Sequence, residues 1–250
     1  MPIVGVPFSF NGPSWSISCE IAFYLAFPLI MRSRQFWTIY ASLCAAVFGM
    51  LFWVNDFMPE TPHLFEFWPG HFILQHPAIR IFEFATGIAA ARLWSKSREP
   101  NVDANLLELA VLGLLAIYWI TVPAVQQFIP TTSLRLWYGE SGGALLFGTA
   151  VAVFAWERGL ISRLLCNPIL VRLGEISFST YMFHQIVIRF YLANDPGLAW
   201  PLAAGLIIVL AYGGSYLLWR YVEKPCQARI AAIANWPPVA PAFRPHATVQ

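Results

Sequence analysis

The feature that most limits what this chain can become is a run of apolar stretches, each long enough to cross a bilayer and separated by short polar breaks. A helix rises about 1.5 Å per residue, so about 20 mainly apolar residues cross the hydrocarbon layer. Seven stretches meet that requirement, at about 15–31, 36–54, 76–94, 106–124, 139–156, 174–192 and 200–220. Only 11% of the 250 residues are charged and 58% are hydrophobic, whereas a soluble domain is roughly 25% charged. A single soluble core cannot hide so much apolar surface. The predicted fold is therefore all-α, a polytopic transmembrane helix bundle of about seven spans. The sixth span is the weakest, because Glu175, Ser177, Ser179, Thr180 and His184 interrupt it.

The basic residues give the bundle an orientation. Cytoplasmic ends carry an excess of Lys and Arg. With seven spans, twelve of the fifteen basic residues fall on one side and three (Arg80, Arg135, Arg189) on the other. This predicts an N-terminus outside and a C-terminus in the cytoplasm. Residues 1–14 lack a basic n-region and a small-residue cleavage site and read as an extracytoplasmic lead-in, not a signal peptide. Residues 229–250 form a Pro-rich cytoplasmic tail. At the end of the last span, Pro225 and its charged neighbours are expected to stop the helix. A net charge of +2 without a basic block argues against a nucleic-acid partner. Cys19, Cys44, Cys166 and Cys226 are scattered, with no CxxC pair and no metal spacing, so neither disulfides nor a metal site is predicted.

Ionisable residues are costly inside a bilayer and mark functional sites. On the first span Ser16, Glu20 and Tyr24 follow i, i+4, i+8 and share a face. Trp15 precedes them, and Glu20 lies about 7.5 Å further along the helix. Two readings fit: an interfacial Trp with Glu20 reaching back to water, or a stripe lining a polar cavity. On the sixth span Ser177, Tyr181 and His184 follow i, i+4, i+7. His184 carries an imidazole, the group suited to proton transfer near neutral pH, although a lone helix histidine is often satisfied structurally. On the third span Arg80 and Glu83 are spaced i, i+3 to pair, with Gly87 and Ala91 continuing the same face. That pair is either structural or a holder of a phosphate or carboxylate. Glu223 reads as a solvated helix end. His63, His71 and His76, with Glu60 and Glu66, lie in or beside the outer loop and are weak pointers to a sugar site.

Four segments in order, PSWSISCEIAFYLAFP, RIFEFATGIAAARL, LGEISFSTYMFHQIVI and YVEKP, resemble the acyltransferase 3 family of integral membrane O-acyltransferases. The resemblance covers roughly residues 10–228 and makes 15–228 an acyltransferase-like transmembrane domain. It implies a multi-pass protein of a bacterial-type inner or plasma membrane. It also implies transfer of an acyl group, acetyl in the first instance, from acyl-CoA as donor substrate to a hydroxyl of a cell-surface glycan, lipopolysaccharide, peptidoglycan or hydroxylated small molecule. No bound cofactor is implied, and the partners are membrane lipid, donor and acceptor. By the resemblance, Ser16 and Glu20 belong to the acceptor side of a buried cavity that His184 and Tyr181 also line, and none is carried over as the nucleophile. His184 and Glu20 are the catalytic candidates, and Trp15, Ser16, Arg80, Ser177 and Tyr181 the substrate-binding ones. The cytoplasmic arginines Arg32, Arg34, Arg92, Arg158 and Arg172 are candidate donor contacts, each read more simply as a topology signal.

Family members usually begin with further helices, the first bearing an Arg followed by a catalytic His in an Arg-x10-His pattern. This chain has no such pattern, since Arg172 precedes His184 by twelve positions. It therefore resembles the C-terminal part of a family member. Two rival expectations follow: an inactive remnant, or a glycolipid transporter that uses the same polar interior without acyl-CoA.

Overall fold

The computed structural model describes residues 11–57, 68–97, 101–194 and 197–233. The lead-in before residue 11, the loop segment with Glu60, His63 and Glu66, and the tail from residue 234 lie outside the described residues. Those described form helices and turns, with no strand among them. A short 3-10 turn at Gly12–Ser14 precedes α1 (Trp15–Arg32) and α2 (Phe36–Asn55). Next come α3 (Trp68–Gln75), α4 (Pro77–Lys96), α5 (Ala104–Phe128), α6 (Thr132–Ser141) and α7 (Ala144–Phe154). The chain continues through α8 (Leu160–Leu165), α9 (Pro168–Glu175), α10 (Ser177–Asn194) and α11 (Trp200–Leu218), then a π-helical turn, Trp219–Glu223, and α12 (Lys224–Ile233). The described residues divide into two compact units, those from 14 to 163, and those from 164 to 233 together with 11–13.

Among the described residues, four helical segments are long and apolar enough to cross a membrane: Gly12–Arg32, Phe36–Asn55, Ala104–Phe128 and Trp200–Ile230. Their outward side chains fit a lipid surroundings. Leu29 on α1 is 74% exposed and Ile120 on α5 is 78% exposed, a cost in water that vanishes in hydrocarbon. The third predicted span is one helix, α4, which carries Arg80, Glu83 and Arg92. The fifth and sixth predicted spans are each broken. The fifth parts at Gly142-Gly143 because Tyr118 of α5 lies across the break: an added Cβ at Gly143 would meet its ring at 2.8 Å. The Tyr118 hydroxyl donates to the Tyr138 carbonyl at 2.6 Å, satisfying a backbone acceptor at the bend. The sixth parts at Ile176, between α9 and α10.

In the first unit α4 is central, packed against α1, α2 and α7. A core of Val47, Leu51, Val54, Ile73, Ile79 and Phe82 closes around Trp137, whose ring lies edge-on to Phe48 and Phe82 at 5.1 and 5.2 Å. His76, read from sequence as a loop histidine, is the N-cap of α4: its Nδ1 accepts from Ala78 N at 3.2 Å. Arg92, near the other end of α4, donates to the carbonyls of Met31 and Ser33 and stacks 4.3 Å above Phe36. It thereby closes the α1–α2 turn. Glu108 of α5 is buried, and its carboxylate accepts from the amides of Ile161 and Ser162, the first of these at 2.9 Å. It caps α8, and the α8 dipole favours its charge.

In the second unit α10 packs along α11. Asn11 donates to the Met182 carbonyl at 2.9 Å, fixing the segment before α1 to α10. Pro225 does not stop the last helix as the sequence leads one to expect. The π turn, a wider coil that shifts the register, ends at Glu223, and Pro225 falls in the first turn of α12, from which the helix runs on to Ile233.

Candidate functional site

The first unit brings three polar side chains together. Arg80 and Glu83 pair along α4, Nη1 to Oε1, at 2.6 Å. Ser141, at the end of α6, donates its hydroxyl to the same Oε1 at 2.6 Å and accepts from Arg80 Nη1 at 3.1 Å. A small triangle of guanidinium, carboxylate and hydroxyl results, in which each group fixes the other two. Trp15 completes it from α1, with the Arg80 guanidinium 5.5 Å from its ring centre, within range of a cation–π attraction. Two of the residues expected to bind substrate, Trp15 and Arg80, are therefore in contact.

The triangle stands at a cleft of about 350 Å³ between α4 and the α6–α7 segment. Arg80, Glu83, Glu140 and Ser141 make its polar part, and Gly87, Ala90, Ala144 and Gly148 keep the remainder wide. A lining that is polar at one end and apolar along its length is the common form of a small-molecule site.

On α1, Glu20 is half-buried and accepts from the Tyr24 hydroxyl at 3.4 Å. The predicted stripe is thus continuous from Glu20 to Tyr24, while Tyr24 itself is mostly exposed. Ser16 is half-buried one turn before Glu20. Cys19, buried between them, donates to the Gln75 carbonyl at 3.2 Å.

The remaining expected residues lie in the second unit. His184 Nδ1 contacts the carbonyls of Tyr181 at 2.7 Å and Thr180 at 3.2 Å. Carbonyls only accept, so Nδ1 carries a proton, and in the neutral imidazole Nε2 is then the acceptor. That is the tautomer a base acting through Nε2 requires. Ser177 and Tyr181 are on exposed positions of α10, with the Tyr181 ring 6.0 Å from the imidazole. Ser179, which the pattern did not select, donates to Glu223 Oε2 at 2.6 Å and ties α10 to the π turn. Glu223 also accepts from Gln227 at 3.1 Å, so it is not a merely solvated end.

Sequence reasoning missed Ser141, Ser179 and Glu108. The signal for Ser141 was the break Gly139-Glu140-Ser141-Gly142-Gly143 at the head of an apolar run. Among the described residues no group of three or more His, Cys, Asp or Glu is placed to hold a metal ion, and all four cysteines are free thiols.

Lipid-length helices and a charged cluster held at a cleft are the features of a membrane protein that carries polar groups among its helices. The chain belongs to the acyltransferase 3 family: the model of that family's acyltransferase domain matches residues 2–220. It is similar to the acyltransferase MdmB of Streptomyces mycarofaciens, 35% identical over 243 residues that cover 87% of this chain and 58% of that protein. It is also similar to proteins of Staphylococcus aureus strains COL and MW2 whose names propose an O-acetyltransferase, at 20% identity over 90% of this chain and 37% of theirs. The chain thus spans little more than half the length of the first of these relatives. No solved structure matches it.

Proposed function

We propose that this chain is the helical core of a membrane O-acyltransferase of a bacterial plasma membrane. It moves an acyl group, acetyl in the simplest case, from acyl-CoA to a hydroxyl of a cell-surface glycan or a hydroxylated small molecule. The observation that carries this reading is the Arg80–Glu83–Ser141 triangle at the cleft between α4 and the α6–α7 segment. An arginine held by a carboxylate and a hydroxyl is a preorganised donor of the kind that stabilises a developing oxyanion.

In the reaction, the acceptor oxygen attacks the thioester carbonyl as a base removes its proton. Negative charge gathers on the carbonyl oxygen, where the remaining N–H groups of Arg80 donate to it. Collapse breaks the C–S bond, the ester remains on the acceptor, and the thiolate takes up a proton. Glu20 and His184 are the proposed bases. Glu20 lies on α1, the helix whose Trp15 meets Arg80, and the His184 imidazole is held to its own helix through Nδ1. Trp15 and Ser16, and Ser177 and Tyr181 of the second unit, are proposed to orient substrate.

The test is acyl transfer from labelled acetyl-CoA by the chain reconstituted in vesicles, with acylated product identified by mass. Arg80→Gln is expected to reduce kcat/KM by about 10²–10³-fold. Movement of a glycolipid across the bilayer with no acyl product formed would support the transporter instead.

A further inference from the structure

At the end of the second unit one tryptophan holds two cations. Trp219, the first residue of the π turn, is only 3% exposed. The Arg172 guanidinium of α9 lies 5.0 Å from its ring centre, and the Lys224 ammonium, which opens α12, lies 4.2 Å from it. Like charges on separate elements repel, so their gathering at one ring calls for a cause. The face of the indole offsets part of the repulsion, and Glu175 takes Arg172 Nη1 at 3.1 Å. Glu223 is turned toward Ser179 and Gln227. A guanidinium has five N–H donors and an ammonium three, so each group has donors beyond the ring contact to offer an anion. Arg220 and Arg229, both exposed, extend the positive charge around the same segment. The π turn sets this geometry, since it places Trp219 inward and Lys224 five residues later over the same ring. Single-turn π segments recur at functional sites.

We propose that Arg172 and Lys224, seated on Trp219, form a binding site for a phosphate ester. On the acyltransferase reading, on which this assignment of the occupant rests, the ester belongs to the nucleotide part of the CoA donor. The sequence's charge asymmetry puts both residues at the cytoplasmic end, where that donor arrives. An anionic lipid headgroup offers the same chemistry and is the other source of a phosphate ester.

The experiment uses the whole chain in phosphatidylcholine vesicles, with and without phosphatidylglycerol. The variants are Arg172→Gln/Lys224→Gln and the charge-keeping Lys224→Arg. Binding of CoA itself is followed by calorimetry, which needs no turnover. KM is measured for acetyl-CoA and for acetyl-pantetheine, which lacks the nucleotide phosphates. If the donor is the occupant, the double variant weakens CoA binding and raises KM for acetyl-CoA about tenfold or more. Use of acetyl-pantetheine stays unchanged, and Lys224→Arg behaves as wild type. If a lipid is the occupant, CoA binding is unaltered and the double variant alone loses the stabilisation that phosphatidylglycerol gives the wild type. Unchanged response to both CoA and phosphatidylglycerol in a folded double variant overturns the site. CoA binding that needs Arg172 and Lys224, without transfer from either thioester, keeps the site and rejects the enzyme reading.

Discussion

Ser141 and Glu83, 58 residues apart in the chain, are joined by a hydrogen bond of 2.6 Å between the end of α6 and the middle of α4. The same carboxylate oxygen takes the Arg80 guanidinium. The hydroxyl therefore sets the direction in which the arginine presents its other donors to the cleft. Ser141→Ala removes a hydrogen bond worth about 1.5–3 kcal/mol when one partner is charged. If Arg80 stabilises the transition state, kcat is expected to fall about tenfold or more while KM changes little, as read by steady-state acyl transfer. Ser141→Thr, which keeps the hydroxyl, is expected to recover most of the loss.

His184 is held by its own helix through Nδ1, so its two nitrogens have separate roles. As a general base it contributes about 10²–10⁴-fold. His184→Gln is expected to lower kcat by that order without lowering the melting temperature of the purified protein. Loss of stability with full activity in the folded fraction would make the residue structural.

Glu108 is the clearest structural carboxylate. It is 2% exposed and accepts from the amides at the start of α8. Glu108→Ala leaves those amides without their acceptor, each at a cost of about 1–3 kcal/mol. The expected result is a lower melting temperature in detergent and poorer yield. Asp is too short to reach from α5, so Glu108→Asp is expected to recover little.

The helices were legible because long apolar runs admit little else in a membrane, and the Arg80–Glu83 pair was legible because i, i+3 spacing fixes adjacency on one helix. Local spacing does not carry across helices. Ser141 joins the pair only because α6 packs near α4, and Trp15 meets Arg80 only because α1 does. The break at Gly142-Gly143 depends on Tyr118, which approaches from α5. The π turn that carries the chain past Pro225 has no periodic signature of its own. The polar stripe on α10 was seen, but the pattern selected Ser177 and Tyr181, which lie exposed, and passed over Ser179, the residue bonded to Glu223.

The cleft itself is tested by two glycines that line it and differ in what stands around them. A Cβ added at Gly87 meets nothing within 4 Å, whereas one at Gly148 meets Ala90 Cβ at 3.3 Å and Thr86 Cγ2 at 3.6 Å. A side chain at Gly87 therefore grows into the open volume, while one at Gly148 presses α7 against α4. Gly87→Leu is expected to leave the melting temperature unchanged or slightly raised, because it also replaces a helix glycine, a gain of up to about 1 kcal/mol. It is expected to abolish transfer by occupying the space that a substrate needs. Gly148→Leu is expected to lower stability by about 1–3 kcal/mol through overpacking. The measurement is the pair of melting temperatures beside the pair of transfer rates. Full activity in a folded Gly87→Leu protein would remove this cleft from the reaction, and the search for the acyl site would move to the helices of the second unit.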